Sequence, residues 1–297
     1  MMGKVLLVVN PSSGQEAGKR YADLVVLELE KKYDDVVVKF TKKAGDAAAF
    51  AKEAARDRFE AVFVMGGDGT VNEGVSGLAE EEYRPKFSFI PLGTVNDLGR
   101  SLGISMNPEE AIQQLGNLVE KKLDVGKIND NYFIDVVAIG TIPEAVQAVE
   151  PEQKTKLGPF AYVLEGLKAV RDNKSYLFNI EIDGEKIQQE SMAVLIAMTN
   201  SVGGMETLLP DASYDDGKLH LIVLKGNTLV DKLGLLPKIF SGKAIDDENV
   251  VYRAFEKGHL AVENGDDLVT NVDGDPGDKL PLDISVLPQH LTVLIPG

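Results

Sequence analysis

Val62-Phe63-Val64-Met65-Gly66-Gly67-Asp68-Gly69-Thr70-Val71-Asn72-Glu73 is the stretch from which the fold is read. An apolar, β-favouring run ends in three glycines, a carboxylate and a hydroxyl, and a segment of helical length follows. The spacing predicts strand, tight turn, helix. Such a turn suits a phosphate: glycine admits positive φ and close approach of a ligand, and the next helix offers unpaired N–H groups and the positive end of its dipole. Asp68 is the odd residue. A carboxylate beside a phosphate is repulsive unless it holds a cation or orients water, which points to a Mg²⁺-nucleotide. Taken alone, the stretch reads more readily as a glycine-rich β-to-α turn carrying a surface Asp.

Working outward, strand-like Lys4–Val9 leads into the turn Asn10-Pro11-Ser12-Ser13-Gly14, and Ala17, Tyr21, Leu24 and Val25 fall on one face of a helix from about Glu16 to Tyr33. Asp35–Phe40 is β-branched, Asp46 can cap a helix striped by Ala47, Phe50, Ala51 and Ala54, and Glu60–Met65 is the next strand. Lys86–Ile90 then runs into Pro91-Leu92-Gly93-Thr94-Val95-Asn96-Asp97, and Asn107-Pro108-Glu109-Glu110 opens another helix. This alternation predicts an α/β domain, Rossmann-like, with a parallel sheet and ligands at the carboxyl ends of its strands. Asn10–Gly14, Thr41 and Gly66–Thr70 stand at those ends.

Beyond about Leu123 the rhythm changes to short strands: Tyr132–Ile139, Tyr176–Ile182, Lys186–Ser191, Met192–Thr199, Lys218–Leu224, Asn249–Phe255, His259–Glu263, Leu268–Val272, Leu282–Leu287 and Leu291–Ile295. Asp183-Gly184 reads as a hairpin turn. Helices are expected near Gly158–Arg171 and Thr228–Phe240. The pattern predicts a C-terminal antiparallel β-sandwich. The expected division is 1–124 and 125–297, with the last strand able to pack back on the first domain.

Composition narrows the function. With 297 residues, 44% of them hydrophobic, the chain can bury a sizeable core, and no apolar run reaches membrane-spanning length. A cytoplasmic location is expected. The absence of Cys removes thiolate sites, and His220, His259 and His290 show no ligand spacing. Net charge −16 argues against nucleic acid as a partner and against purely electrostatic attachment to an anionic membrane. There is no Gly-x-x-x-x-Gly-Lys-Ser/Thr string, so the P-loop class is set aside. Two acidic turns remain. Pro210-Asp211-Ala212-Ser213-Tyr214-Asp215-Asp216-Gly217 has the oxygen donors for a hard cation, but on spacing alone, without EF-hand order, it reads as a solvated loop, and Asn271-Val272-Asp273-Gly274-Asp275-Pro276-Gly277 is a site or a plain hairpin.

Five stretches together, Asn10–Gly14, Gly66–Thr70 with Asn72-Glu73, Pro91–Thr94 with Asn96-Asp97, Pro210-Asp211 with Asp215-Asp216-Gly217, and Val272-Asp273-Gly274, carry a resemblance. In order and spacing they resemble the diacylglycerol kinase catalytic-domain family over nearly the whole chain, most of all its soluble bacterial branch. Lys156–Tyr162 and Lys279-Leu280-Pro281 add to the likeness.

The resemblance implies an ATP-binding first domain, a lipid-substrate second domain and an active site in the cleft between them. ATP would be bound by Asn10, Pro11, Ser12, Ser13, Gly14, Thr41, Gly66, Gly67, Asp68, Gly69, Thr70, Val71, Asn72 and Thr94. Asp216, with the carbonyls of Ser213 and Lys218, would form a Mg²⁺ site linked through waters by Asp124 to Asp68. Asp273 would be the general base. Asp275 stands where the family usually has Glu, and Gln15 where relatives commonly carry a basic residue. The implied partners are ATP, Mg²⁺ and membrane diacylglycerol, met transiently from the cytoplasmic face; a homodimer is compatible. Alternatives are a kinase of another lipid, phosphatidylglycerol or sphingoid-like, and a nucleotide-binding regulator without turnover. NAD kinase shares the Gly-Gly-Asp-Gly turn but is disfavoured by Pro91–Asp97.

Overall fold

The computed structural model describes residues 3–140, 175–206, 208–225, 238, 241–263 and 268–297. The chain forms two compact units, Met1–Val125 with Pro288–Gly297, and Gly126–Leu287.

In the first unit, strands and helices alternate: β1 (Lys4–Val9), α1 (Ser13–Leu29), β2 (Asp35–Phe40), α2 (Asp46–Arg56), β3 (Ala61–Gly66), α3 (Asp68–Leu78) and β4 (Lys86–Pro91). Two shorter helices follow, α4 (Asp97–Ser101) and α5 (Pro108–Gln114), and then β5 (Leu118–Ile128). The strands pair in parallel in the order β2-β1-β3-β4. Every residue of Val5–Val9 and Ala61–Gly66 is buried, which is why these strands read as continuous apolar runs rather than alternating ones. Two helix N-termini are closed by side chains. Asn107 caps α5 by accepting from the amides of Glu109 and Glu110, with Pro108 at the first position. The N-terminus of α2 is instead closed from α3, where Glu73 accepts from Gly45 N at 2.8 Å and Ala47 N at 3.1 Å. α3 lies so close to α2 at Gly77 that a Cβ there would stand 2.2 Å from the Ala48 carbonyl oxygen.

The second unit continues with β6 (Asn131–Phe133), β7 (Val136–Gly140), β8 (Tyr176–Ile182), β9 (Glu185–Ser191), β10 (Ala193–Ala197), β11 (Leu219–Leu224), β12 (Val250–Phe255), β13 (Lys257–Val262), β14 (Val269–Val272), β15 (Asp275–Lys279) and β16 (Leu282–Pro296). One sheet has the order β12-β11-β10-β7-β14-β15, antiparallel throughout. In the other, the start of β16 pairs with β13, β13 with β8 and β8 with β9, also antiparallel. Phe178, Ile180, Leu260 and Ile284 from this sheet meet Val137, Ile139, Val194, Ile196 and Leu221 from the other in one core. This is an antiparallel β-sandwich. Asp183-Gly184 closes the β8–β9 hairpin with φ of 47° and 88°, a type I′ turn.

Some elements differ from expectation. The run Tyr132–Ile139 is two strands, β6 and β7, because the amides of Ile134 and Asp135 turn to the Asp273 carboxylate rather than to a ladder. Asp275–Lys279 is a strand despite Pro276, which an edge strand such as β15 tolerates. The two runs on either side of Pro288 form one strand, β16, whose end lies in the first unit with Val293 parallel to Phe87 of β4. The helices read at Gly158–Arg171 and, but for Lys238, Thr228–Phe240 lie outside the described residues, as does Lys156–Tyr162. Among the described residues no helix is long and apolar enough to cross a membrane.

Candidate active site

In the first unit, the turns that follow β1, β3 and β4 are tied to one another. After β1, Asn10 donates its backbone N–H to the Met65 carbonyl and its side-chain N–H to Thr70 Oγ1 at 2.9 Å, while its Oδ1 accepts from the Ser12 amide and hydroxyl. Thr41, just past β2, donates its amide to the Val9 carbonyl. Asp68 begins α3 and braces the β4 turn: Oδ2 accepts from Asn96 N at 3.0 Å and Oδ1 from Asp97 N at 3.1 Å. Asn96, at φ 55°, bonds both polar groups of Gly93. Burial raises Asp68 above its ordinary pKa, and the Asp97 carboxylate adds to this against the pull of the amides.

Gly66, Gly67 and Gly93 serve close approach rather than unusual φ, whereas Gly14 has φ 62°. Gly66 and Gly67 lie outside the left-handed region. A Cβ on Gly66 would come within 2.5 Å of Thr70 Cβ, and one on Gly93 within 2.8 Å of Gly67 Cα. Two backbones therefore touch where a phosphate-binding turn is expected. Thr94, Ser12 and Gly14 are exposed, Pro11, Ser13, Gly69, Thr70 and Asn72 half-buried, and Val71 is buried in the core, leaving only its backbone for a ligand. Lys19 and Arg20 of α1 line a 590 Å³ cavity with Pro11 and Ser12. Sequence reading passed over these two cations. The signal was their place near the start of a helix that follows the first turn.

In the second unit, Asp273-Gly274 is the two-residue turn between β14 and β15, with φ of 48° and 96°. Asp273 is buried, and its carboxylate accepts three amides: Ile134 N at 2.9 Å on Oδ2, and Asp135 N at 3.0 Å and Val136 N at 2.8 Å on Oδ1. Asp275, two residues on, is exposed at the start of β15.

Ser213, Asp216 and Lys218 lie in the loop before β11. The Asp216 carboxylate accepts from Ser213 N at 3.1 Å and Lys218 N at 2.8 Å, and stands 3.0 Å from His220 Nε2. Burial opposes its charge, but His220 and the two amides outweigh burial and hold its pKa below the ordinary value. Mg²⁺ takes oxygen ligands at octahedral positions, whereas here both carboxylate oxygens face N–H groups, so the loop as folded does not fit that ion. Asp124, buried in the first unit, accepts from Gln289 N at 2.6 Å. Among the described residues no three His, Cys, Asp or Glu side chains are grouped to hold a metal.

Residues 4–128 match the family model of the diacylglycerol kinase catalytic domain, and residues 135–295 that of the YegS C-terminal NAD kinase beta sandwich-like domain. A diacylglycerol kinase of Staphylococcus carnosus (strain TM300) is 35% identical over 296 residues, 100% of this chain and 96% of the relative. One from Staphylococcus aureus (strain JH9) is 34% identical over 300 residues, 100% and 94% of the two chains. Among solved structures, a diacylglycerol kinase from Bacillus anthracis strain Sterne aligns with a TM-score of 0.82 at 29% identity, covering 99% of this chain and 97% of that one.

Proposed function

The chain belongs to the diacylglycerol kinase catalytic-domain family, and on that premise we propose that it transfers the γ-phosphate of Mg-ATP to the free hydroxyl of diacylglycerol, giving phosphatidate. The observation that carries the reading is the bracing of the β3 and β4 turns by Asp68, beside the Asn10 turn. Together they leave glycine backbone and hydroxyls at the carboxyl ends of parallel strands, where α/β folds bind nucleotides.

Asn10–Gly14, Thr41, Gly66–Asn72 and Thr94 bind ATP, with Lys19 and Arg20 supplying positive charge beside Pro11 and Ser12. Mg²⁺ brought in with the nucleotide would neutralise phosphate oxygens. The acceptor oxygen bonds to the γ-phosphorus as the bond to the bridging oxygen breaks, and ADP leaves. The hydroxyl proton passes to a carboxylate of the Asp273-Gly274-Asp275 turn. A carboxylate takes it late, once bonding to phosphorus has made the hydroxyl acidic. Asp273 is the base that the family resemblance names, and its Oδ2 accepts from Ile134 N. Asp275 is a second reading, favoured by its exposure while Asp273 is committed to three amides. Because the acceptor lies in a bilayer, the protein works as a cytoplasmic enzyme that visits the membrane transiently.

The test is transfer of labelled γ-phosphate into the organic phase from mixed micelles of diacylglycerol, phosphatidylglycerol, monoacylglycerol or sphingosine. Label in diacylglycerol alone supports the reading, and label in another lipid reassigns the acceptor. Mg-ATP binding with no labelled lipid sinks the kinase in favour of a regulator.

A further inference from the structure

The acidic loop of the second unit has an internal group where a cation was expected. Asp216 sits three residues before β11, and His220 is the second residue of that strand. His220 is 4% exposed, so its imidazole nitrogens need partners inside the fold. Nε2 lies 3.0 Å from Asp216 Oδ2, and Nδ1 lies 2.9 Å from the Tyr252 hydroxyl. Tyr252 belongs to β12; the register pairs His220 with Ala254 and Ile222 with Tyr252, which makes Tyr252 the diagonal neighbour of His220 on the same sheet face.

We propose that His220 closes this loop in place of a divalent cation: His220 Nε2–H donates to Asp216, Tyr252 O–H donates to His220 Nδ1, and residues 213–218 hold their shape without bound metal. The donor inventory supports this. A carboxylate can only accept, so Nε2 carries the proton; a neutral imidazole then leaves Nδ1 as acceptor, which a phenol satisfies. The Tyr252 hydroxyl is suited to that duty, since burial, with Asp216 and Asp211 near, pushes its pKa above the ordinary value and keeps it protonated. With Ser213 N and Lys218 N, Asp216 has three donors over two oxygens. An incoming Mg²⁺ would find two donors on Oδ2 and one on Oδ1 and would meet N–H dipoles of the wrong sign. Asp215, the adjacent acid, is occupied by the Ser213 hydroxyl at 2.6 Å.

The chain has three His, so their ring signals are separable. Long-range ¹H–¹⁵N spectra of the full chain, free of nucleotide and at mildly alkaline pH, are recorded in EDTA, in Mg²⁺ and with added Mn²⁺. The expected result is one neutral Nε2–H tautomer for His220, unchanged by EDTA or Mg²⁺ and not selectively broadened by Mn²⁺. An Nδ1–H tautomer, a His220 shift on chelation, or selective broadening by Mn²⁺ overturns the proposal. Tyr252→Phe, which removes the donor to Nδ1, is expected to keep the Nε2–H tautomer held by Asp216 and to shift the Nδ1 resonance; an unchanged Nδ1 shift there removes Tyr252 from the arrangement. His220→Ala is expected to lower Tm in EDTA by about 2–8 °C, and an unchanged Tm also overturns the proposal. Should that variant fail to fold, the wild-type spectra decide. Because none of these readouts is phosphate transfer, failure here leaves the kinase reading standing, and the reverse.

Discussion

Truncating Asp273 removes more than a base. Its carboxylate is the acceptor for Ile134, Asp135 and Val136 N–H, three donors 137–139 residues away in sequence. Asp273→Ala strands all three beside the buried Ile134 and Asp135. A buried donor left without a partner costs about 1–3 kcal/mol. Water reaching half-buried Val136 N–H lowers its share, so the loss is about 3–6 kcal/mol. Ala is also less tolerant than Asp of the positive φ at this position, adding roughly 1 kcal/mol. At about 2–4 °C per kcal/mol for a unit of this size, Tm of the second unit should fall by about 8–28 °C. Asp275→Ala, at an exposed position, should move Tm by no more than the ~0.5 kcal/mol of an ordinary surface change. Scanning calorimetry of both variants is paired with label transfer to diacylglycerol. If Asp275 takes the proton, its variant loses about 10²–10⁴-fold in kcat with Tm intact. If Asp273 does, Asp275→Ala stays active, and Asp273→Asn, which keeps one oxygen acceptor, loses activity well beyond its fall in Tm. An Asp273→Ala protein melting with the wild type would refute the structural reasoning outright.

Asp68 makes stability fall as pH rises. Its native pKa is above the ordinary value, so between the unfolded value near about 4 and the native one the folded chain holds more protons, and the penalty is complete above that window. Asp68→Asn should flatten this part of the pH profile of urea midpoints; an unchanged slope contradicts the assignment. Glu73→Ala leaves the Gly45 and Ala47 amides uncapped, with an expected cost of about 1 kcal/mol and faster hydrogen exchange over the first turn of α2. Equal exchange rates would rule the cap out. Gly77→Ala drives a methyl against the Ala48 carbonyl and should cost about 1–3 kcal/mol through separation of α2 from α3; a urea midpoint equal to wild type would show that the helices yield freely.

What neighbours in sequence impose was legible. β1, β2 and β8 run over Lys4–Val9, Asp35–Phe40 and Tyr176–Ile182 as the apolar patterns predict, because period and propensity are properties of adjacent residues. The same holds for the β8–β9 turn and the Asn107 cap. Ordered motifs across the chain placed it in its family. Polar satisfaction was not legible, since any buried donor seeks whichever acceptor the fold brings near. The sequence marks Asp68, Asp216 and Asp273 as acids in turns, with the chemistry of ligands or bases. Only the fold shows each carboxylate holding backbone amides, those of Asn96 and Asp97, of Ser213 and Lys218, and of Ile134, Asp135 and Val136. His220, scattered by its spacing, finds Tyr252 because an antiparallel register sets the two strands side by side. β16 reads as two strands around Pro288 and is one, shared between units, because its partners β13 and β4 lie far off in sequence. Local pattern decides which segments become strands and helices; the hydrogen-bond demands of groups removed from water decide what their polar side chains then do.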